Sequence, residues 1–269
     1  KKLSMPERRD LLDLFTKSAG DVLDQWFESD AIKGLFGFDA IVGNFASPYS
    51  PGSAYVLLHH VFGEVNGKSG QWGHAVGGMG AITQAMAKEA TARGVDITTD
   101  SAVKNVNVDD TGRATGVTLE NGEHIAARCV ASNLNPKLLF QKLIAAEHVP
   151  VEFAHRMQAY KCGSGTMRLN VALSELPDFT ALPGKQMQIH HQAGIFISPS
   201  LHYQEQAYFD AKQHGWSQRP VIEMLIPSTV DDTLAPSGKH VMSLFCQHFN
   251  PQLPDGKSWD DCREQAADA

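Results

Sequence analysis

The stretch from residue 77 to residue 133 is the most constraining part of this chain. Gly77-Gly78-Met79-Gly80 opens a helix expected from 81 to about 93, with Ile82, Ala85, Met86 and Ala90 on its apolar side. Gly94 is placed to cap it in the left-handed conformation. Val95-Asp96-Ile97-Thr98 reads as a short strand. Residues 102–108 then alternate, with Val103, Asn105 and Asn107 on one face and Ala102, Lys104, Val106 and Val108 on the other. Asp110-Thr111-Gly112 turns the chain into a strand over 114–119. Asn121-Gly122 is a strong hairpin signal because both residues tolerate positive φ. It leads into a strand over 124–130. The product is a helix, a strand and a meander of three short strands, within a mixed α/β (α+β) chain.

On the N-terminal side, Ser4 and Glu7 fit a capping box with Pro6 in the first turn. Leu11, Phe15, Ala19, Val22 and Trp26 follow at helical spacing, which predicts one helix with a single apolar stripe. Asp30 is placed to cap a second helix through Ile32, Leu35 and Phe36. Residues 43–53 are a loop by their Pro, Gly and Ser content. Residues 54–65 are apolar enough for a buried helix or a strand, and periodicity leaves both open. Beyond Pro136, helices are expected over 137–146 and from about 150 to 160. Strands are expected at 166–173, 186–197, 220–226 and 239–248, with a helix beginning after Asp255.

Composition excludes several classes. A formal charge of −7 and a pI near 5.9, with no Lys/Arg cluster, argue against a nucleic-acid partner. Cys129, Cys162, Cys246 and Cys262 form no C-x-x-C pair and read as reduced thiols, so a cytoplasmic setting is expected, or the mitochondrial matrix in a eukaryote. No apolar run approaches the roughly 18–20 residues needed to span a bilayer. Membrane contact has no amphipathic basic helix to support it. Twelve histidines invite a metal reading. Yet adjacent residues diverge in direction, so His59-His60 and His190-His191 each supply at most one easy ligand, and no metal site is expected. Gly163-Ser164-Gly165 lacks the G-x-S-x-G frame of a hydrolase.

Taken in order, Gly77-Gly78-Met79-Gly80-Ala81-Ile82, Gly94-Val95-Asp96-Ile97, Val103-Lys104-Asn105-Val106 and Val130-Ala131-Ser132-Asn133-Leu134-Asn135-Pro136 resemble the flavin-binding middle segment of phytoene-desaturase and amine-oxidase-like FAD-dependent oxidoreductases. Flanking pieces such as Ala46-Ser47-Pro48-Tyr49, Arg219-Pro220-Val221-Ile222-Glu223 and Leu234-Ala235-Pro236-Ser237-Gly238 look like one branch of that superfamily, so the resemblance covers nearly the whole chain. It implies a discontinuous FAD domain interleaved with a substrate domain: residues 1–74 and 149–269 in the substrate domain, and 75–148 in the FAD domain. It further implies that Gly77, Gly78 and Met79 approach the flavin closely. The Val103 backbone would meet the adenine, and Ser132 and Asn133 would end a strand near the cofactor.

The substrate implied is an apolar small molecule that gives up hydride to FAD. His59, His60, Trp72 and His74 are candidates to line its pocket, although packing is an equal explanation for His59 and His60. No catalytic residue stands out. Phosphate binding in a dinucleotide fold needs a G-x-G-x-x-G turn after an apolar strand. Gly77-Gly78-Met79-Gly80 lacks that spacing, and the family's late glycine-rich segment would lie beyond Ala269. The expectation is therefore a fragment of a flavoenzyme that alone binds FAD poorly. The alternative is a non-catalytic interaction or scaffold protein that keeps the fold.

Overall fold

The computed structural model describes residues 2–269. In chain order its helices and strands are α1 (Met5–Thr16), α2 (Ala19–Trp26), α3 (Asp30–Ile41), α4 (Val56–His59), β1 (Glu64–Val65), β2 (Lys68–Ser69) and α5 (Met79–Ala92). Next come β3 (Val103–Val108), β4 (Ala114–Leu119), β5 (His124–Ala126), α6 (Pro136–Leu138) and α7 (Val151–Ala159). The chain closes with β6 (Thr166–Leu173), β7 (Ile195–Ile197), α8 (Leu201–His214), β8 (Trp216–Leu225), β9 (His240–Phe249) and α9 (Trp259–Ala267). All strand pairings are antiparallel, so this is a mixed fold of helices and antiparallel sheets. Two compact units divide the chain: Gln84–Cys162 is one, and the residues up to Thr83 together with Gly163–Ala269 are the other. No described helix is long and apolar enough to cross a membrane.

The larger unit is organised on a four-stranded sheet in the order β6-β9-β8-β7. Side chains alternate across it, so each face has its own cover. Met167, Leu169, Ile222, Leu244 and Cys246 pack with Trp216, Phe249 and Trp259, and with Cys262 and Ala266 of α9. On the opposite face Val221, Phe196 and Phe245 meet Phe38 of α3 and Tyr203 and Ala207 of α8. Phe38 stands edge-on to Phe196 and Phe245, with ring centroids 5.0 and 6.3 Å away. That is the geometry aromatic quadrupoles favour.

The sequence gives no warning of α8. Its buried face is Leu201, Gln204, Ala207 and Ala211, a helical spacing without an apolar stripe. Gln204 is buried because its Nε2 donates to the Gly34 carbonyl (2.6 Å) and to Ser198 Oγ (2.7 Å). The backbones come this close because α3 carries glycines there: a Cβ at Gly34 would clash with the Ser198 carbonyl oxygen, and one at Gly37 with Leu201 and Gln204.

The helix expected over 4–26 is two helices. Lys17 is extended, and Ser18 starts α2 with its own capping box: Ser18 Oγ accepts from Asp21 N (3.0 Å) while the Asp21 carboxylate accepts from Ser18 N (3.4 Å). The next two amides are held by the loop, Ala19 N by Ser53 Oγ and Gly20 N by the Pro48 carbonyl, both at 2.9 Å. The expected stripe is correspondingly split. Ala19 is buried, whereas Leu11, Phe15 and Trp26 are exposed. Asp30 is the first residue of α3 and not its cap; Ser29 holds that position and makes no side-chain capping bond. Residues 54–65 contain a short 3-10 turn, α4 and the start of a hairpin. The strand expected over 186–197 survives only as β7, because 189–192 form a 3-10 turn pinned by His191: Nδ1 accepts from Gln188 N, and Nε2 donates to the Pro177 carbonyl at 3.0 Å.

In the smaller unit the meander forms as β3-β4-β5. Thr118 Oγ1 and Asn105 Nδ2 converge on Asn107 Oδ1 at 2.8 and 2.7 Å, tying β3 to β4 by side chains as well as by the ladder. Gly122 takes positive φ in the Asn121-Gly122 turn but Asn121 does not; its Oδ1 instead accepts from Glu123 N. β5 ends at Ala126, short of 130. Residues 95–98 form no strand, since Val95 N donates back to the Ala90 carbonyl in closing α5. The helix over 137–146 is broken: α6 runs into a π-helical turn at Leu139–Leu143, and a 3-10 turn follows at Ala146–His148. Phe140 and Phe153 stack edge-on at 4.7 Å and dock this turn on α7.

These contacts set three stability outcomes. Gly34→Ala gains helix propensity but overpacks a backbone contact, so a net loss of ~1–3 kcal/mol is expected in urea unfolding. Ser18→Ala is expected to cost about 1 kcal/mol by loss of the cap. Ser29→Ala, which removes no cap bond, should leave the urea midpoint nearly unchanged.

Candidate functional site

The glycine turn ahead of α5 is built by backbone that only glycine adopts cheaply. Gly77 and Gly78 have φ of +86° and +78°. Gly77 N donates to Asp231 Oδ2 at 2.8 Å, while Gly78 N closes the turn on the Ala75 carbonyl at 2.9 Å. The other carboxylate oxygen accepts from Thr233 N (3.0 Å) and Thr233 Oγ1 (2.6 Å). These bonds, led by the Thr233 hydroxyl, hold Asp231 below the usual carboxylate range. The turn thus already holds the protein's own carboxylate through Gly77. What it leaves open is an exposed Gly77 without a Cβ and an exposed Met79.

The cofactor candidates of the smaller unit lie on its meander and the segment after it. Val103 begins β3, an edge strand whose outer row of N–H and C=O groups is unpaired within the sheet. Ser132 and Asn133 are exposed in the segment before α6, where Ser132 Oγ accepts from Leu134 N at 3.2 Å.

Of the four pocket candidates, the structure brings three together. The His59 and His60 rings meet edge-on at 4.4 Å, and His60 stacks on Trp72 at 5.8 Å with the planes 17° apart. His74 is exposed. His60 also lines a cleft of 440 Å³ between α2, α3 and α4. Seven of its nine lining side chains are apolar: Val22, Leu23, Trp26, Phe27, Phe36, Leu57 and Val61. The other two are His60 and Asp39. Asp39 was not identified from the sequence. His60 Nε2 lies 3.1 Å from the Asp39 carbonyl oxygen, and Nδ1 lies 3.9 Å from Asp39 Oδ1. Burial raises the Asp39 pKa, against the opposing pull of His60 and then His59.

A second titratable group missed by sequence reasoning stands close by. Glu223 on β8 is directly opposite Phe196 of β7 and Phe245 of β9, and Phe245 is opposite Arg168 of β6. One row therefore crosses the sheet on the face that α3 covers. The Arg168 guanidinium lies 5.1 Å above the Phe245 ring and donates to Ser243 Oγ at 2.7 Å. Burial raises the Glu223 carboxyl, the Asp39 charge raises it further, and Arg168 opposes both. The signal available in the sequence was a lone charge in an apolar run: Phe38-Asp39-Ala40-Ile41, Val221-Ile222-Glu223-Met224-Leu225 and Met167-Arg168-Leu169.

The other histidines include fully buried His248, packed between Phe45 and Tyr208 with its pKa pushed down to about 4 by burial. No group of three or more potential metal ligands occurs among the described residues. Because the folded protein holds the Glu223 proton more tightly than the unfolded chain does, the contribution of Glu223 to stability is greatest below the ordinary glutamate value of about 4.3 and falls as pH rises through the raised pKa. Glu223→Gln should flatten that fall and raise the thermal midpoint at neutral pH, as measured by melting curves across this window.

The model of the flavin containing amine oxidoreductase family matches residues 7–167. Pyridine nucleotide-disulfide oxidoreductase domain-containing protein 2 of Rattus norvegicus is 43% identical over 256 residues, covering 93% of this chain and 44% of that protein. The 4,4'-diapolycopene oxygenase of Methylomonas sp is 28% identical, covering 82% of this chain and 41% of that one. Phytoene desaturase of Cercospora nicotianae is 25% identical over 80% of this chain and 31% of its own. The chain thus spans less than half the length of these curated relatives. Among solved structures, an oxidoreductase from Methanosarcina mazei shares the fold with a TM-score of 0.60 at 16% identity, over 99% of this chain and 55% of that one. The chain belongs to the flavin containing amine oxidoreductase family.

Proposed function

We propose that the chain is the middle portion of an FAD-dependent oxidoreductase of the desaturase or dehydrogenase type, acting on an apolar small molecule. The observation that carries this reading is the 440 Å³ cleft, whose wall is apolar except for His60 and Asp39. An apolar cleft with a few convergent polar groups is the usual form of a small-molecule site. The names of relatives support it, since two are a 4,4'-diapolycopene oxygenase and a phytoene desaturase.

Each unit by itself carries backbone that fits one part of a flavin dinucleotide. The exposed, Cβ-free backbone at Gly77 lets a flat ring approach more closely than any side chain would allow. Edge strand β3, starting at Val103, offers backbone donor and acceptor groups of the kind an adenine edge pairs with. Ser132 and Asn133 add exposed polar groups in the same unit. When bound, the flavin supplies the hydride acceptor, a chemistry that belongs to the cofactor. The chain's own residues bind and orient: Trp26, Phe27, Phe36 and Leu57 exclude water from the substrate's apolar body, and His60 and Asp39 form the polar corner of the cleft.

The pyrophosphate is a different matter. The Gly77 amide is engaged by Asp231 and the Gly78 amide by the Ala75 carbonyl, so neither is a free donor for phosphate. We therefore propose that the chain alone holds FAD weakly. Titration with FAD, followed by flavin fluorescence, is expected to give no tight stoichiometric complex. A polypeptide extended to the length of the curated relatives is expected to retain flavin absorbance that bleaches with dithionite. A colourless, FAD-indifferent long form would instead favour a scaffold that has kept the fold.

A further inference from the structure

Two Asn-Gly steps occur in the chain, Asn66-Gly67 and Asn121-Gly122, both in exposed hairpin turns. At such a step a backbone nitrogen can attack a side chain, because glycine has no Cβ to obstruct the approach. The two turns treat that chemistry differently. At Asn121 both reacting groups are held: Oδ1 accepts from Glu123 N, and Gly122 N donates to the Leu119 carbonyl, each at 2.9 Å. The turn is mounted on β4, the central strand of its sheet, where Thr118 and Leu119 are buried. At Asn66 neither group is held. Among the described residues the Asn66 side chain and the Gly67 N–H make no hydrogen bond. Only two residue pairs close that turn, Glu64–Ser69 and Val65–Lys68, all of them exposed, with Gly70 N on the Gly63 carbonyl at 2.8 Å beyond them. A two-stranded hairpin this short is marginal, so it opens locally at little cost. Closed, it keeps Asn66 and Gly67 left-handed, with φ of +52° and +75°. Opening lets the Asn66 backbone rotate until the Gly67 nitrogen meets Cγ.

We propose that Asn66 is a self-modification site at which the folded chain deamidates, while Asn121 is protected. The Gly67 nitrogen bonds to Asn66 Cγ and gives up its proton, and the bond from Cγ to the side-chain nitrogen breaks, releasing ammonia. Water then opens the resulting succinimide at either carbonyl, leaving aspartate or isoaspartate. No oxidant or reductant is needed. The isoaspartyl product routes the chain through one additional backbone carbon. A two-residue turn that matches Val65 to Lys68 cannot absorb it, so the β1–β2 register is lost. That hairpin joins His60 to Trp72, whose rings are stacked, and its Val65 lies over Gly73, where a Cβ would come within 3.0 Å of Val65 Cγ1. Conversion of Asn66 therefore releases Trp72 from the histidine that lines the cleft.

The test incubates this chain at mildly alkaline pH, folded and in parallel unfolded in urea. Peptide mass mapping reads the amide-to-acid mass gain at each site, and the isoaspartyl peptide elutes separately. The ratio of the Asn66 rate to the Asn121 rate is expected to be at least ~10-fold larger in the folded chain than in urea, the worth of the two hydrogen bonds that hold Asn121 and Gly122. Converted chain should lose hydrogen-exchange protection over residues 63–70. Asn66→Gly tolerates the same positive φ but has no side chain to cyclise. It should show no conversion at this turn and keep its protection through the same incubation.

The same rate ratio in folded and urea-treated chain overturns the proposal, because sequence alone would then set both rates. Faster conversion at Asn121 in the folded chain overturns it as well, as does an Asn66 that stays unconverted. Converted chain whose exchange over residues 63–70 matches that of fresh protein removes the proposed release of Trp72. None of these readouts involves a flavin, so they stand or fall apart from the oxidoreductase reading.

Discussion

The close approach of α3 to α8 is the constraint on which the rest of the larger unit depends. Two glycines one helical turn apart, Gly34 and Gly37, remove the side chains that would hold these helices apart, and Gln204 fills the space with hydrogen bonds to Gly34 and Ser198. With α3 drawn in at that depth, Phe38 reaches the sheet and packs edge-on to Phe196 and Phe245. The next residue, Asp39, is turned about 100° around the helix axis and so faces the cleft instead of the core. A single packing contact therefore sets both the hydrophobic core on that face and the carboxylate in the candidate site.

The unit places its charges sparingly. Asp39 and Glu223 are both half-buried: burial raises Asp39 against His60 and His59, while burial and then the Asp39 charge raise Glu223 against Arg168. Arg168 is itself fixed by the Phe245 ring and the Ser243 hydroxyl. Such a cluster is costly to hold in a mostly apolar surrounding, and perturbed carboxyls of this kind concentrate where a protein handles ligands or protons. Asp231 shows the opposite case. Its carboxylate accepts three hydrogen bonds, from Gly77 N, Thr233 N and Thr233 Oγ1, which lower its pKa and hold the glycine turn in place. A glycine-rich turn in a flavoprotein family is readily taken as a phosphate cradle; here the Gly77 amide serves an internal anion, and what the turn presents outward is bare backbone.

Much of the local structure was legible. The α5 boundary, the turns at Gly94, Gly112 and Gly122, and the long strands β6, β8 and β9 all follow from periodicity and from glycines that take positive φ. The His59, His60 and Trp72 grouping was legible only as a list of residues able to line a pocket. Their stacking, and the partnership with Asp39, required the fold. The break between α1 and α2 was written in Ser18 and Asp21. The pattern there was ambiguous because a second capping box inside an apolar stripe looks like an uninterrupted helix until the Pro48–Ser53 loop takes up the first amides.

By itself the sequence determined what depends on neighbours along the chain: helix caps, hairpin turns, strand alternation and the identity of the family. These are set by local steric and hydrogen-bonding rules that act over a few residues. Only the tertiary structure decided α8, whose buried face is a glutamine and small residues with no hydrophobic signature, and the sites built on Asp39, Glu223 and Asp231. Asp39 and Glu223 take their character from partners between about 20 and 190 residues away in sequence, and Asp231 joins the adjacent Thr233 to the distant Gly77; burial and charge proximity are properties of the folded arrangement, not of the order of residues.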